Sequence, residues 1–239
     1  MTQPPSPLTV HLTEDYLAIT FNDDQRALSS AVLNGGWCSI RSALNARVPL
    51  TSASDLPDPA VSLQQHAQQL ALPTPCLGMM TAASMRSCVE QHHHCPQTQL
   101  SVRCWVTSGL SNARRCGDPA DEQAQIGTIN IWLWCSVPLS NSAMVEALML
   151  VTEAKATALL EANILSPISQ QPASGTGTDS HAIVCAIAKP TQHTHTYCGK
   201  HTRLGELIGR TALMACQDSI QYCLRAMNQQ SATSRPMST

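Results

Sequence analysis

The sequence predicts an α+β domain, a mixed β-sheet with helices packed on its faces. Two observations carry this. Strand-like segments dominate the first half of the chain, and the second half runs strand, helix, strand, helix. That order suits a sheet begun by hairpins and completed by crossover connections. A third observation is that no Pro/Gly/Ser-rich linker divides the 239 residues, so one domain over residues 1–227 with a polar, disordered tail at 228–239 is expected.

Each element has a local reason. Leu8–Leu12 and Tyr16–Thr20 alternate apolar and polar residues around Thr13-Glu-Asp, the pattern of a hairpin. Ala27–Leu33 reads as a further strand running into Asn34-Gly-Gly36. Asp58–Leu72 has helical spacing and is stopped by Pro73 and Pro75. Leu77–Val89 and Leu100–Val106 flank His92-His-His-Cys95 and are read as the arms of a long hairpin with the histidines at its tip. Ile126–Val137 is almost wholly apolar or β-branched, as a buried central strand is. Ser140 or Asn141 then caps a helix to about Asn163. Ser166–Thr178 is a Pro/Ser/Gly loop, His181–Ala188 a second buried strand, and Thr202 the cap of a last helix to about Met227.

Composition narrows the function. The hydrophobic share of 43% is ample for a core, but with one Phe and three Tyr that core is mainly aliphatic, with Cys and Met. A net charge of −2 gives no footprint for nucleic acid. No apolar run approaches the roughly 18 residues of a membrane span. The start, MTQPPSPLTV, has no basic region followed by an apolar one. Eleven cysteines, an odd set scattered through apolar segments, behave as small hydrophobes rather than a disulfide framework. Together these lead to the expectation of a cytoplasmic protein.

The chemistry lies in polar blocks that interrupt apolar runs. Thr107–Pro119 packs Gly109, Asn112, Gly117 and Asp118 behind a strand-like run. Gly127-Thr-Ile-Asn130 and Ser174-Gly-Thr-Gly-Thr-Asp-Ser180 each lead into a buried strand, and Gly199–Gly209 opens the last helix. Loops at strand ends are where sites usually sit, so the blocks are expected to share one cleft. Asp179 is the expected orienting carboxylate, with Thr176 and Thr178 beside it, although an Asx turn would also explain it. Lys200 and His201 precede a helix N-terminus, where the dipole favours a neutral imidazole able to act as a base. Asn112, Asp118, Asn34 and Asn130 are expected to line the cleft; Asn130 equally has the option of bracing a neighbouring loop. Glu153 and Lys155 interrupt an apolar helix, and Glu153 is taken as the site candidate. His193, His195, Cys198 and His201 have zinc-ligand chemistry but no standard spacing, and a solvated loop is preferred. No G-x-S-x-G elbow, Walker loop or Rossmann fingerprint occurs.

The blocks GLSNARRCGDPA, GTINI, EAKATALLEA, SGTGTDS and GKHTRLGELIG, in this order, resemble those of the adenosylcobinamide amidohydrolase family, from about Ser29 to about Leu224. The resemblance implies cleavage of the amide that joins adenosylcobinamide to its aminopropanol arm, giving adenosylcobyric acid and 1-amino-2-propanol in corrinoid salvage. The corrinoid is then the substrate, with no cofactor and no metal, and a homo-oligomer stays open. On the same resemblance Asp179, His201 and Lys200 are the catalytic candidates. The rival reading is a corrinoid-binding module for uptake or delivery that does not turn over.

Overall fold

Eight strands form one mixed sheet, of order β4-β3-β2-β10-β8-β6-β5 with β1 beside β2. The strands are β1 (Leu8–Leu12), β2 (Tyr16–Ser29), β3 (Gly36–Arg47), β4 (Cys76–Thr81), β5 (Val89–Cys95), β6 (Leu100–Ser108), β8 (Ile129–Cys135) and β10 (Ser180–Ala186). A two-residue pair, β7 (Ala113–Arg114) with β9 (Gly175–Thr176), stands apart. The helices are α1 (Pro59–Gln69), α2 (Asn141–Glu161) and α3 (Arg203–Thr233). This computed structural model describes residues 6–48, 58–120 and 127–233. The α+β expectation holds.

Most elements form for the reasons read in the sequence. Asp58 caps α1 by accepting from the N–H groups of Ala60 and Val61 at 2.8 and 3.1 Å. Ser140 caps α2 through the N–H of Ala143 at 3.1 Å. The Thr202 hydroxyl accepts from Gly205 at 2.9 Å at the start of α3. That helix continues past Met227 to Thr233, so the first residues of the expected tail are helical and 234–239 lie outside the described residues.

Three strand readings need correction. Tyr16–Thr20 and Ala27–Leu33 belong to one strand, β2, which ends at Ser29 and carries an irregularity between Thr20 and Gln25. There β2 changes neighbour, from β1 to β10. The expected hairpin between Leu77–Val89 and Leu100–Val106 is not formed. Cys76–Thr81 pairs in parallel with β3, and the hairpin is β5 with β6. His92–His94 therefore lie within a strand, and the turn falls at 96–99. β3 is a further strand, beyond those expected from the sequence.

The sheet curls until strands distant in its order meet. Asn45 on β3 donates to Thr107 on β6 at 3.0 Å. Asn130 on β8 donates to the carbonyl of Met80 on β4 at 2.8 Å. The Trp134 indole on β8 donates to Gln25 on β2 at 3.0 Å. Enclosed by the curl is one core, with Leu17, Phe21, Ile40, Met79, Trp105, Trp132 and Trp134. The other face of β5, β6, β8 and β10 is covered by α2 and α3, whose Ala143, Ala147, Ala158, Ala212 and Ala215 share a second core with Ile131, Leu133 and Ile183. A third, under α1, gathers Leu44, Ala46, Leu63 and Ala67. All eleven cysteines are free thiols; seven are buried and Cys116 alone is exposed. Burial raises the thiols of Cys88, Cys198 and Cys216 to about 12.

Candidate functional site

Strand register brings several loops to one end of the sheet. Ser29 pairs with both Gly36 and Ala182, Ser180 with Asn130, and Ile129 with Ser108. The segments 30–35, 109–118, 127–128 and 174–179 therefore emerge together. Gly177 donates to the Asn112 carbonyl at 3.2 Å, and Ser174 to that of Arg114 at 2.9 Å. The Thr128 and Thr178 hydroxyls lie 2.6 Å apart, with Thr178 also donating to the Gly127 carbonyl at 3.0 Å. A Cβ on Gly127 would sit 2.7 Å from the Asn112 nitrogen, and one on Gly177 2.6 Å from the Asn112 side-chain amide. The glycines of two blocks are thus what let Asn112 in.

Asp179 sits at the centre of this junction. One carboxylate oxygen accepts from the Ile129 N–H at 3.0 Å and from the Thr176 hydroxyl; the other accepts from the Thr176 N–H at 3.0 Å and from the Lys155 ammonium. The Lys155 and Asp179 side chains are 8% and 9% exposed. A buried charge is tolerated only when it is paired and hydrogen-bonded, and here both conditions are met. Lys155 reaches the site because it falls on the buried stripe of α2, four residues after Val151 and four before Leu159.

His181 completes the group. It follows Asp179 by two residues and points, in phase with Ile183 and Cys185, toward α2. Its Nδ1 lies 3.5 Å from the Thr152 hydroxyl, which itself donates to the Leu148 carbonyl at 2.9 Å. The Thr152 oxygen is then left as an acceptor, which assigns the ring proton to Nδ1. Nε2 is a bare acceptor, buried and without a hydrogen-bond partner among the described residues. Burial first, and the Lys155 charge second, lower the imidazole to about 4, against a smaller opposing pull from Asp179. An unfolded histidine titrates near 6.5. Between those values the unfolded chain binds the extra proton, so stability falls as pH drops from about 6.5 toward 4. Urea unfolding at stepped pH is expected to show this loss, on the order of 3 kcal/mol at most, and His181→Gln to flatten it. An equal slope in both proteins would mean that His181 is not buried in its neutral form.

The structure gathers some of the sequence candidates and separates others. Asn112, Thr176, Thr178 and Asp179 meet at the junction. Asp118 lies at its margin, clasping a turn: it accepts from the Arg115 N–H at 2.9 Å and the Ser166 hydroxyl at 2.5 Å, and the Ser166 bond holds its carboxyl below the usual range. Asn34, at φ 57°, spends its amide on the Cys76 carbonyl at 2.7 Å. Asn130 needs correction. It faces the curled core, on the opposite side of β8 from His181, and braces Asn45 and Met80 rather than lining the cleft. Lys200 pairs with Glu153 on the surface, where the side chains are 67% and 49% exposed and such a pair contributes little. The two line a shallow cavity of about 260 Å³ between α2 and α3, and His201 is exposed. No bond links these three to Asp179. Lys155, rather than Glu153, is the buried member of its block.

The His193 and His195 rings meet edge to face at 5.0 Å, Cys198 is buried, and no group of three or more metal-binding side chains forms among the described residues. No described helix is long and apolar enough to cross a membrane. A cavity of about 720 Å³ opens at the far end of the sheet, lined by Asp23, Asp24, Gln25, Trp134 and 186–192, and none of the polar blocks reaches it.

Known proteins resemble this chain over most of its length. A Methanosarcina mazei protein named adenosylcobinamide amidohydrolase is 28% identical over 221 residues, covering 88% of this chain and 96% of its own. An uncharacterized Methanocaldococcus jannaschii protein is 38% identical over 87 residues, 36% of this chain and 32% of its own length. The crystal structure of the PH0078 protein from Pyrococcus horikoshii overlaps 90% of this chain and 78% of its own at a TM-score of 0.44 and 7% identity, too loose a likeness to carry an argument. The profile of the adenosylcobinamide amidohydrolase family matches residues 1–231, which takes in every block of the site, and the chain belongs to that family.

Proposed function

We propose that this protein hydrolyses adenosylcobinamide at the amide that joins the corrin side chain to the aminopropanol arm, giving adenosylcobyric acid and 1-amino-2-propanol. Family membership over nearly the whole chain supports the substrate. The observation that carries the chemistry is the buried Lys155–Asp179 pair at the meeting point of three family blocks, with the buried, unpartnered Nε2 of His181 beside it. Asp179 has its expected orienting role, while the roles expected of Lys200 and His201 fall to Lys155 and His181, because a desolvated cation acts far more strongly on a developing charge than an exposed one. Asp179 fixes Lys155, and Lys155 stabilises the oxyanion as water adds to the amide carbon. His181 Nε2 takes the proton from that water as the C–O bond forms. The proton passes to the amide nitrogen as the C–N bond breaks. Thr176 and Thr178 hold the loop, and Asn112 anchors it.

This scheme uses no metal and no cofactor. Incubation with adenosylcobinamide, followed by mass spectrometry, is expected to show adenosylcobyric acid both before and after dialysis against EDTA. Tight binding without product would favour the non-catalytic module instead. Activity lost to EDTA and restored by zinc would return attention to the histidine-rich loop.

A further inference from the structure

Among the described residues, one strip of sheet between the helices stays open. α2 lies over β10, and α1 over β4 and β3. Arg26 and Leu28 of β2 point to the α2 side, in phase with their partners Cys185 and Ile183. Trp37 of β3 is the cross-strand partner of Leu28 and shares its face. The Arg26 guanidinium lies 5.0 Å from the Trp37 ring centre, donates to the Leu139 carbonyl at 3.4 Å and holds the Asn141 side chain. One end of the strip is thus tied to the start of α2. From Asn141 the same flank of α2 carries Val145, Met149 and Thr152, at helical spacing. Thr152 is the residue against His181. The strip ends there, at Ser30, whose hydroxyl lies 3.1 Å from that of Ser180 and accepts from the His181 N–H at 3.1 Å.

Trp37 is the exception among the tryptophans, and it continues into two exposed side chains of α2. Trp37 is 47%, Val145 45% and Met149 58% exposed, whereas the other three tryptophans are 5% or less. An apolar patch that runs into a polar site is the usual form of a ligand surface. We propose that the strip is the docking surface for the corrin ring, with Trp37 and Met149 against its face and the scissile side chain led past Ser30 to His181 and Lys155. The proposal rests on the amide-hydrolase reading above. A corrin ring is broad, with apolar faces and a rim of amides, which matches an apolar strip closed at one end by hydroxyls. A second copy of the chain fits less well, since a two-fold contact centred here would bring Arg26 against Arg26.

The test is steady-state hydrolysis of adenosylcobinamide by Trp37→Ala, Trp37→Phe, Val145→Ser and Met149→Ser, with sedimentation of each protein. Trp37→Ala is expected to lower kcat/KM at least 10-fold, chiefly through KM. Trp37→Phe should recover most of that loss, and the two serine variants should raise KM less. Product formed by all variants with KM unchanged would overturn the docking surface and leave the hydrolase reading standing. Variants that dissociate an oligomer while KM stays constant would also overturn it, and would make the strip a self-interface. A wild-type protein that forms no product and binds no adenosylcobinamide would end both.

Discussion

Lys155→Met is expected to lose about 3–5 kcal/mol of stability, because it leaves the Asp179 carboxylate buried without its cation, and to reduce turnover by 100-fold or more, the scale of losing one charge-stabilising group. Asp179→Asn is no milder. The side chain is close to isosteric, but its one NH2 would face either the Ile129 N–H and the Thr176 hydroxyl or the Thr176 N–H and the Lys155 ammonium, where each carboxylate oxygen now accepts. The double variant Lys155→Met/Asp179→Asn removes both charges. It should regain a good part of the lost stability and none of the activity. Urea unfolding and single-turnover product formation separate the two quantities. Should Lys155→Met unfold within about 1 kcal/mol of the wild type, the pair is solvated and the catalytic reading loses its foundation.

Gly175→Ala should act on the same pair without touching either charge. The added Cβ would fall 2.4 Å from an Asp179 oxygen and 2.9 Å from the Lys155 nitrogen. The Asp179 oxygen is also held by the Thr176 N–H, so relief falls on the lysine end and the ion pair opens. The cost expected is about 1–3 kcal/mol of stability, with activity reduced about 100-fold through the displaced ammonium. Gly209→Ala is the matching control. Its Cβ would meet nothing within 4 Å, and alanine is the better residue inside a helix, so a gain of about 0.5–1 kcal/mol is expected. Activity lost in that stable variant would point instead to the surface formed by Lys200 and Glu153.

The sequence is most informative where period and local chemistry decide structure. Ser140 and Thr202 cap their helices as expected, the segment from Asp58 is helical as its spacing predicts, and the apolar runs into Cys135 and Ala186 are the two buried strands. Non-local pairing is where the reading fails. Nothing local in Trp37–Arg47 announces a strand whose neighbours are β2 and the later β4, and nothing in Cys76–Thr81 prefers β3 to β6 as a partner. The site divides in the same way. Asn112, Thr176 and Asp179 come together because each lies in a loop at a strand end, which the turn residues mark. Lys155 and Glu153 are distinguished only by phase, and counting four residues either way from Lys155 to Val151 and Leu159 would have found the buried one. His181 opens an expected strand, and its parity with Ile183 and Cys185 sets it under α2. Lys200 and His201 do precede a helix. That end of the helix, however, lies beside the exposed face of α2, a matter of tertiary packing that no local motif carries.

The unequal burial of the thiols has a practical consequence. An alkylating reagent attacks the thiolate, and burial keeps most of the eleven cysteines protonated and covered. Cys116 differs, being exposed and fixed through its N–H to the Ser174 hydroxyl at 2.8 Å. Cys116 is therefore the exposed thiol to which a fluorophore or spin label would be attached, on the loop that borders Asp179. A dye at that position would report the arrival and departure of a ligand in real time, with no cysteine introduced or removed.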